Sequence, residues 1–135
     1  MGRRARVNHV TAKEAEEATD VVLGNLFVTS ILAKVLFDSG ASHSFISQSF
    51  SSSNDVPFEK MDIPVLVQQP GSKWLTKEVS LNNEILIGNL PFQASLIALC
   101  SSDIDVILGM DWLVANKAFI DCTAKFVKLT ILLAR

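Results

Sequence analysis

The chain has 135 residues, 49% apolar and 19% charged, enough to bury about two-thirds of its unfolded surface as one domain and too apolar for disorder. Twelve Lys and Arg against fourteen Asp and Glu leave a formal charge of −2, so no global field draws nucleic acid or an anionic membrane. No run reaches the ~18 apolar residues of a transmembrane helix, and the arginine-led start lacks the apolar core of a signal peptide.

In chain order, residues 1–20 read as a flexible polar lead-in. Arg3, Arg4 and Arg6 form a basic cluster typical of a solvated tail. Thr11 to Glu17 has helix-forming composition and a Thr11/Glu14 capping pair, but no apolar stripe. A domain of residues 21–135 follows, and its texture is β. Val21–Leu23 and Leu26–Val28, turning at Thr29-Ser30 into Ile31–Phe37, predict a hairpin whose second strand ends on Asp38. Phe45, Ile46 and Phe50 predict one helical turn on the core, and Ser47 to Asn54 an exposed, mobile serine-rich loop.

Ile63–Val67 predicts an apolar strand, with Pro64 at its beginning or on an edge. Gln68 to Lys73 turns on Pro70-Gly71, because proline presets one angle and glycine permits the other. Trp74–Val79 returns as partner, and Glu84–Ile87 with Leu90–Leu99 predicts a further hairpin about Gly88-Asn89. Val106–Leu108 reads as a buried strand, leading to a short helix from Trp112 to Ala115 capped by Met110 or Asp111 and ended near Asn116. Phe119–Asp121 and Phe126–Ile131 close the chain as strands around Thr123–Lys125. Cys100 and Cys122 sit in apolar contexts, which predicts reduced core thiols; with no close Cys or His they make no zinc knuckle.

The stretch with chemical content runs from Val35 to Ile46. An apolar run delivers Asp38 into the small-residue turn Ser39-Gly40-Ala41. Burying an ionised carboxylate is costly, so such an aspartate is neutralised by a partner or held for chemistry. Gly40 permits an unusual angle or a close approach, and the Ser39 hydroxyl is placed to lock the turn. Alone, Asp-Ser-Gly is ordinary turn chemistry. Other constellations are weaker. Asp103, Asp105 and Asp111 bracket a strand that should be buried, and hard cations need several oxygens converging on a loop, so no metal site is expected. His9 and His43 have no partner in a nucleophile motif, and adjacent Ser and His residues rarely aim at one atom.

Leu36-Phe37-Asp38-Ser39-Gly40-Ala41-Ser42-His43-Ser44-Phe45-Ile46, followed by Asp105-Val106-Ile107-Leu108-Gly109-Met110-Asp111-Trp112-Leu113, resembles the retropepsin family of aspartic proteases. The protease segment of plant Ty3/gypsy-type retrotransposon polyproteins is the most similar branch. Pro70-Gly71 stands where the family carries its flap, and the likeness covers roughly residues 7 to 130.

The resemblance implies an all-β, small closed barrel-like fold with one or two short helices. It implies an endopeptidase with Asp38 catalytic and Ser39, Gly40 and Ala41 shaping the active-site loop. Gln69, Pro70, Gly71 and Ser72 would form the substrate-covering flap, and Ile107, Leu108 and Gly109 would support the loop. One Asp-Ser-Gly per chain supplies one carboxylate, so a working pair requires a homodimer. Peptide or polyprotein substrate, no metal or organic cofactor, no membrane or nucleic-acid partner, and an intracellular, cytoplasmic or retrotransposon-particle location complete the expectation. Retroviral members pair an Asp two places after the active-site Gly with an Arg after the later Gly. Here Ser42 and Met110 stand there, and both charges are gone together. The lack of any Tyr argues against the two-lobed pepsin type, whose flap carries one. Two other readings stay open: a silent retropepsin-like module for dimerisation or peptide binding, and an inactive polyprotein remnant.

Overall fold

Where alternation and turn chemistry agree, the first hairpin forms as expected. In the computed structural model, which describes residues 3–17, 21–100, 102–121 and 123–129, β2 (Val21–Val28) runs antiparallel to β3 (Ile31–Asp38). Thr29 and Ser30 join them at φ 51° and 67°, and two left-handed residues in a two-residue loop follow the natural strand twist. β3 then lies parallel to β8 (Val106–Leu108), pairing Val35 with Val106, Leu36 with Ile107 and Phe37 with Leu108. Val35, Phe37, Val106 and Leu108 enter one core cluster, while Leu36 and Ile107 enter a second on the opposite face. A parallel pair covered on both faces must be apolar throughout, which is why both segments read as unbroken apolar runs.

The ring closes through four more pairings. β4 (Phe45–Ser47) joins β8 to β7 (Leu90–Leu99), β7 pairs with β6 (Ser72–Ile87), and β6 returns to β2. The expected all-β ring is therefore present, and closure leaves those strands no open edge. The first half of β6 projects from the ring with β5 (Glu59–Gln69) as a long hairpin. Its pairing slips between Lys60 and Val65, around Pro64, which has no N–H to give to a ladder. β9 (Phe119–Asp121) and β10 (Phe126–Lys128) form a separate small hairpin. Short helices α1 (Ala12–Glu17), α2 (Gln48–Ser53) and α3 (Met110–Ala115) complete the fold. Among the described residues no helix is long and apolar enough to cross a membrane.

Several local expectations need correction. Within the supposed flexible lead-in, β1 (Arg3–Arg6) pairs parallel with β5, and Ala5 and Val7 are 1% exposed. Three arginines in four residues, at 3, 4 and 6, disguise a strand whose Ala5 and Val7 share one buried face. Ala15 of α1 packs in the same cluster as Leu36 and Ile107. Phe45 and Ile46 are strand, not helical turn. The serine run is no mobile loop: Ser47 caps α2 by accepting the Phe50 N–H, and Ser47 and Ser51 are buried. Their hydroxyls find partners inside the fold, so their polarity does not force them outside. Helix α3 begins at Met110 with Gly109 as N-cap, placing Asp111 in its first turn. Cys100 is exposed instead of in the core. Cys122, Thr130 and Ile131 lie outside the described residues.

Candidate active site

Asp38 ends β3 with 0% exposure. Its Oδ1 accepts the Gly40 N–H at 2.7 Å, and its backbone carbonyl accepts the Ala41 N–H at 3.2 Å. The carboxylate itself therefore ties the turn. Ser39, expected to lock it, is exposed and its hydroxyl makes no hydrogen bond among the described residues. Gly40 is needed for closeness and not for its angle: a Cβ would sit 3.1 Å from both Asp38 Oδ1 and Asn8 Nδ2. Ala41 is fully buried beneath the loop.

Ile107 and Leu108 end β8, and Gly109 follows them. The first two pair with Leu36 and Phe37, immediately before Asp38. At Gly109 any side chain would collide with the carbonyl oxygens of His43 and Ala41. Two backbone segments cross there in contact, which requires glycine. The Met110 N–H donates to the Ala41 carbonyl at 2.8 Å, and the Gly109 N–H to Ser44 Oγ at 3.0 Å. Ser44 Oγ donates in turn to Asp111 Oδ1 at 2.7 Å, and the same oxygen accepts the Trp112 N–H. Asp111 Oδ2 takes the Ser44 N–H at 3.3 Å. Trp112 packs against Phe37 with ring centroids 5.9 Å apart. Ser44 and Asp111 thus fasten the second motif to the first. The sequence weighed Asp111 as a helix cap and as one of an acidic trio, and offered Ser44 only within the first motif and not as a tie, because its partners are more than sixty residues away.

On the other side, Ser42 holds the N-terminal strand. Its Oγ accepts the Arg6 N–H at 2.8 Å and lies 2.9 Å from His43 Nδ1, while its own N–H donates to the Arg6 carbonyl. The next residue, Val7, donates its N–H to the Gln68 carbonyl of β5 at 2.9 Å. Strand β1 consequently links the Asp38 loop to the long hairpin. That hairpin turns at Pro70 and Gly71, the latter at φ +79°, with Gln69 and Ser72 paired across the turn. Pro70, Gly71 and Ser72 are exposed, and the Gln69 side chain is taken up by the Trp74 indole N–H at 3.1 Å.

The acidic residues weighed as metal ligands serve the backbone. Asp105 Oδ2 accepts the Lys34 N–H and Asp103 Oδ1 the Ala12 N–H. Among the described residues no three His, Cys, Asp or Glu side chains are grouped to hold a metal. Beside the loop, Ser39 shares a hollow of about 240 Å³ with Met110, Leu113, Val114 and Phe119. Met110, Val114 and Phe119 are 39%, 65% and 60% exposed, an apolar patch flanking the loop.

A closed β ring carrying one Asp-Ser-Gly turn, a glycine crossing beneath it and a projecting hairpin defines a single-lobed, retropepsin-like domain. The chain belongs to the family described as Retroviral aspartyl protease, which it matches over residues 2–132. No curated protein matches it. Among solved structures it is similar to the retroviral protease-like domain of Ddi1 from Leishmania major, with a TM-score of 0.61 at 14% identity over 81% of this chain and 85% of that one. EIAV protease complexed with the inhibitor HBY-793 aligns with a TM-score of 0.48 at 17% identity, over 73% of this chain and 90% of that one. At these identities the likeness to Ddi1 is one of fold.

Proposed function

We propose that this chain is an aspartic endopeptidase acting as a homodimer, with Asp38 of each copy supplying half of the catalytic pair. The observation that carries the reading is the placement of Asp38: a fully buried carboxylate at the end of an inner strand, in a loop fixed through Gly40, Gly109, Ser44 and Met110. Members of this family act as dimers on peptide substrates. The exposed apolar patch of Met110, Val114 and Phe119 beside Ser39 is the kind of surface a two-fold partner covers.

The chemistry follows from two carboxylates meeting across the two-fold. Like charges a few ångströms apart are held most readily with one proton between them. The ionised partner takes a proton from water as the water oxygen attacks the scissile carbonyl carbon. The protonated partner gives its proton to the carbonyl oxygen, forming a neutral tetrahedral diol. Collapse of that diol breaks the C–N bond as the protonated carboxyl gives its proton to the departing nitrogen and the ionised one takes a proton from a diol hydroxyl, which leaves one proton on the pair again. Ser39, Gly40 and Ala41 shape the loop, Ile107, Leu108 and Gly109 support it, and the exposed Pro70-Gly71-Ser72 tip closes over the peptide. The motifs Leu36–Ile46 and Asp105–Leu113 support a retrotransposon polyprotein of the plant Ty3/gypsy type as source and substrate, cleaved within the cell in the cytoplasm or the particle.

The test is a cleavage assay of the purified chain at mildly acid pH with pepstatin as inhibitor, alongside sedimentation. Pepstatin-sensitive cleavage whose specific activity falls steeply on dilution is the expected result. A monomer with undiminished specific activity would refute the shared pair.

A further inference from the structure

We propose that Asn8 is a peptide-binding residue of the cleft, its side-chain amide donating to a main-chain carbonyl of the substrate beside the scissile bond. This deepens the aspartic-protease reading above and rests on it. Asn8 follows β1, in the segment that the sequence presented as a polar lead-in. Its Nδ2 and Asp38 Oδ1 both lie 3.1 Å from the point that a Gly40 Cβ would occupy. The amide therefore shares one small space with the carboxylate that must meet the scissile bond. Its nitrogen end is the end near Gly40 and the carboxylate, the orientation that electrostatics favour.

Three further features make this amide a ligand for peptide and not part of the framework. Asn8 is exposed, so a substrate can reach it. Its side chain makes no hydrogen bond among the described residues, leaving two N–H donors and a carbonyl acceptor available. Its backbone is anchored nonetheless. Arg6 is bonded in both directions to Ser42, Val7 donates to Gln68, and the Val7 side chain is 1% exposed. A donor carried on a fixed backbone loses little freedom when it binds, so its hydrogen bond appears in affinity. Gly40 leaves the space that a side chain at that position would take from the amide. A peptide lying along the loop in reach of Asp38 passes this amide, and the groups a peptide offers at every residue are its carbonyls.

The experiment compares the full chain with Asn8→Ala and Asn8→Asp on one peptide cleaved by the wild type, measuring kcat, KM, the pepstatin Ki, the melting temperature and sedimentation. Asn8→Ala should lower kcat/KM about 3- to 10-fold, the worth of one neutral hydrogen bond, mainly by raising KM and with a matching rise in Ki. Asn8→Asp should lose more, because it replaces the donor with an acceptor that repels the substrate carbonyl. Both variants should keep the wild-type melting temperature and dimer. An active wild type with Asn8→Ala unchanged within twofold would overturn the assignment and leave the protease reading standing. So would a loss of activity in step with a loss of melting temperature. A wild type that neither cleaves peptide nor binds pepstatin would remove the protease reading, and this assignment with it.

Discussion

Ser44 offers the sharpest test of how the Asp38 loop is held. It is 1% exposed, and its hydroxyl has two partners: it donates to Asp111 Oδ1 at 2.7 Å and accepts the buried Gly109 N–H at 3.0 Å. Ser44→Ala removes a hydrogen bond to a carboxylate, worth about 1.5–3 kcal/mol, and leaves a buried donor without a partner at about 1–3 kcal/mol. Asp111 keeps the N–H groups of Trp112 and Ser44, so part of the first loss is recovered. The net cost should be about 3 kcal/mol, a large share of the 5–15 kcal/mol that a domain of this kind commands. Urea unfolding at one fixed protein concentration measures it, since the proposed dimer would make stability concentration-dependent. A double-mutant cycle with Asp111→Ala should show a coupling of about 1–2 kcal/mol, because the second substitution removes a bond already lost in the first. A cost below about 0.5 kcal/mol for Ser44→Ala, or strict additivity with Asp111→Ala, would refute the claim that these two side chains fasten the motifs together.

Gly109→Ala should be more damaging than its size suggests, about 3 kcal/mol or more, because the atoms in the way are backbone carbonyls of Ala41 and His43 with nowhere to turn; a melting curve within 2 °C of wild type would contradict the close crossing. Gly71→Val meets no neighbour within 4 Å but must hold φ near +79°, a strain of about 1–3 kcal/mol at an exposed tip. Turnover should fall far more than the melting temperature, and equal losses in both would make the hairpin structural and not a gate. Asp38→Asn keeps the size of the side chain and removes both titratable halves of the pair from each dimer. Cleavage should vanish while sedimentation still reports a dimer, and retained cleavage would end the aspartic-protease mechanism.

What the sequence disclosed and withheld divides along a physical line. Asp38, Ile107, Leu108 and Gly109 were legible because buried parallel strands must be apolar on both faces, and the residues that end them stand out against that background. The turns at Pro70-Gly71 and Gly88-Asn89 were legible because left-handed backbone is chosen from few residue types, whereas Thr29-Ser30 was placed by the apolar runs on either side and takes left-handed angles that neither residue type favours. Ser42, Ser44 and Asn8 were not, since a serine or asparagine that bonds across the fold looks in sequence like one that bonds to water. β1 failed for a related reason. Arg3, Arg4 and Arg6 surround Ala5 with charge, and only the partner strand β5 reveals that Ala5 and Val7 face inward.

The same distinction explains how this loop dispenses with the ion pair of its retroviral counterparts. Ser42 and Met110 stand in the two positions where those proteins are charged, yet both positions still hold the loop. Ser42 does so with its hydroxyl and N–H against the Arg6 backbone, and Met110 with its backbone N–H against the Ala41 carbonyl at 2.8 Å. The Met110 side chain is left over, and it joins the exposed apolar patch beside Ser39. Neutral bonds to backbone need no paired charge and are barely screened, whereas a half-exposed ion pair weakens as salt rises. Stability of the loop should therefore be nearly flat in ionic strength. Association through Met110, Val114 and Phe119 should instead strengthen in sulfate, which favours burial of apolar surface. Melting across a sodium chloride series reads the first and sedimentation across a sulfate series the second: a fold that melts earlier as chloride rises, with a dimer that loosens in sulfate, would show that charge, and not backbone bonding and apolar contact, holds this site.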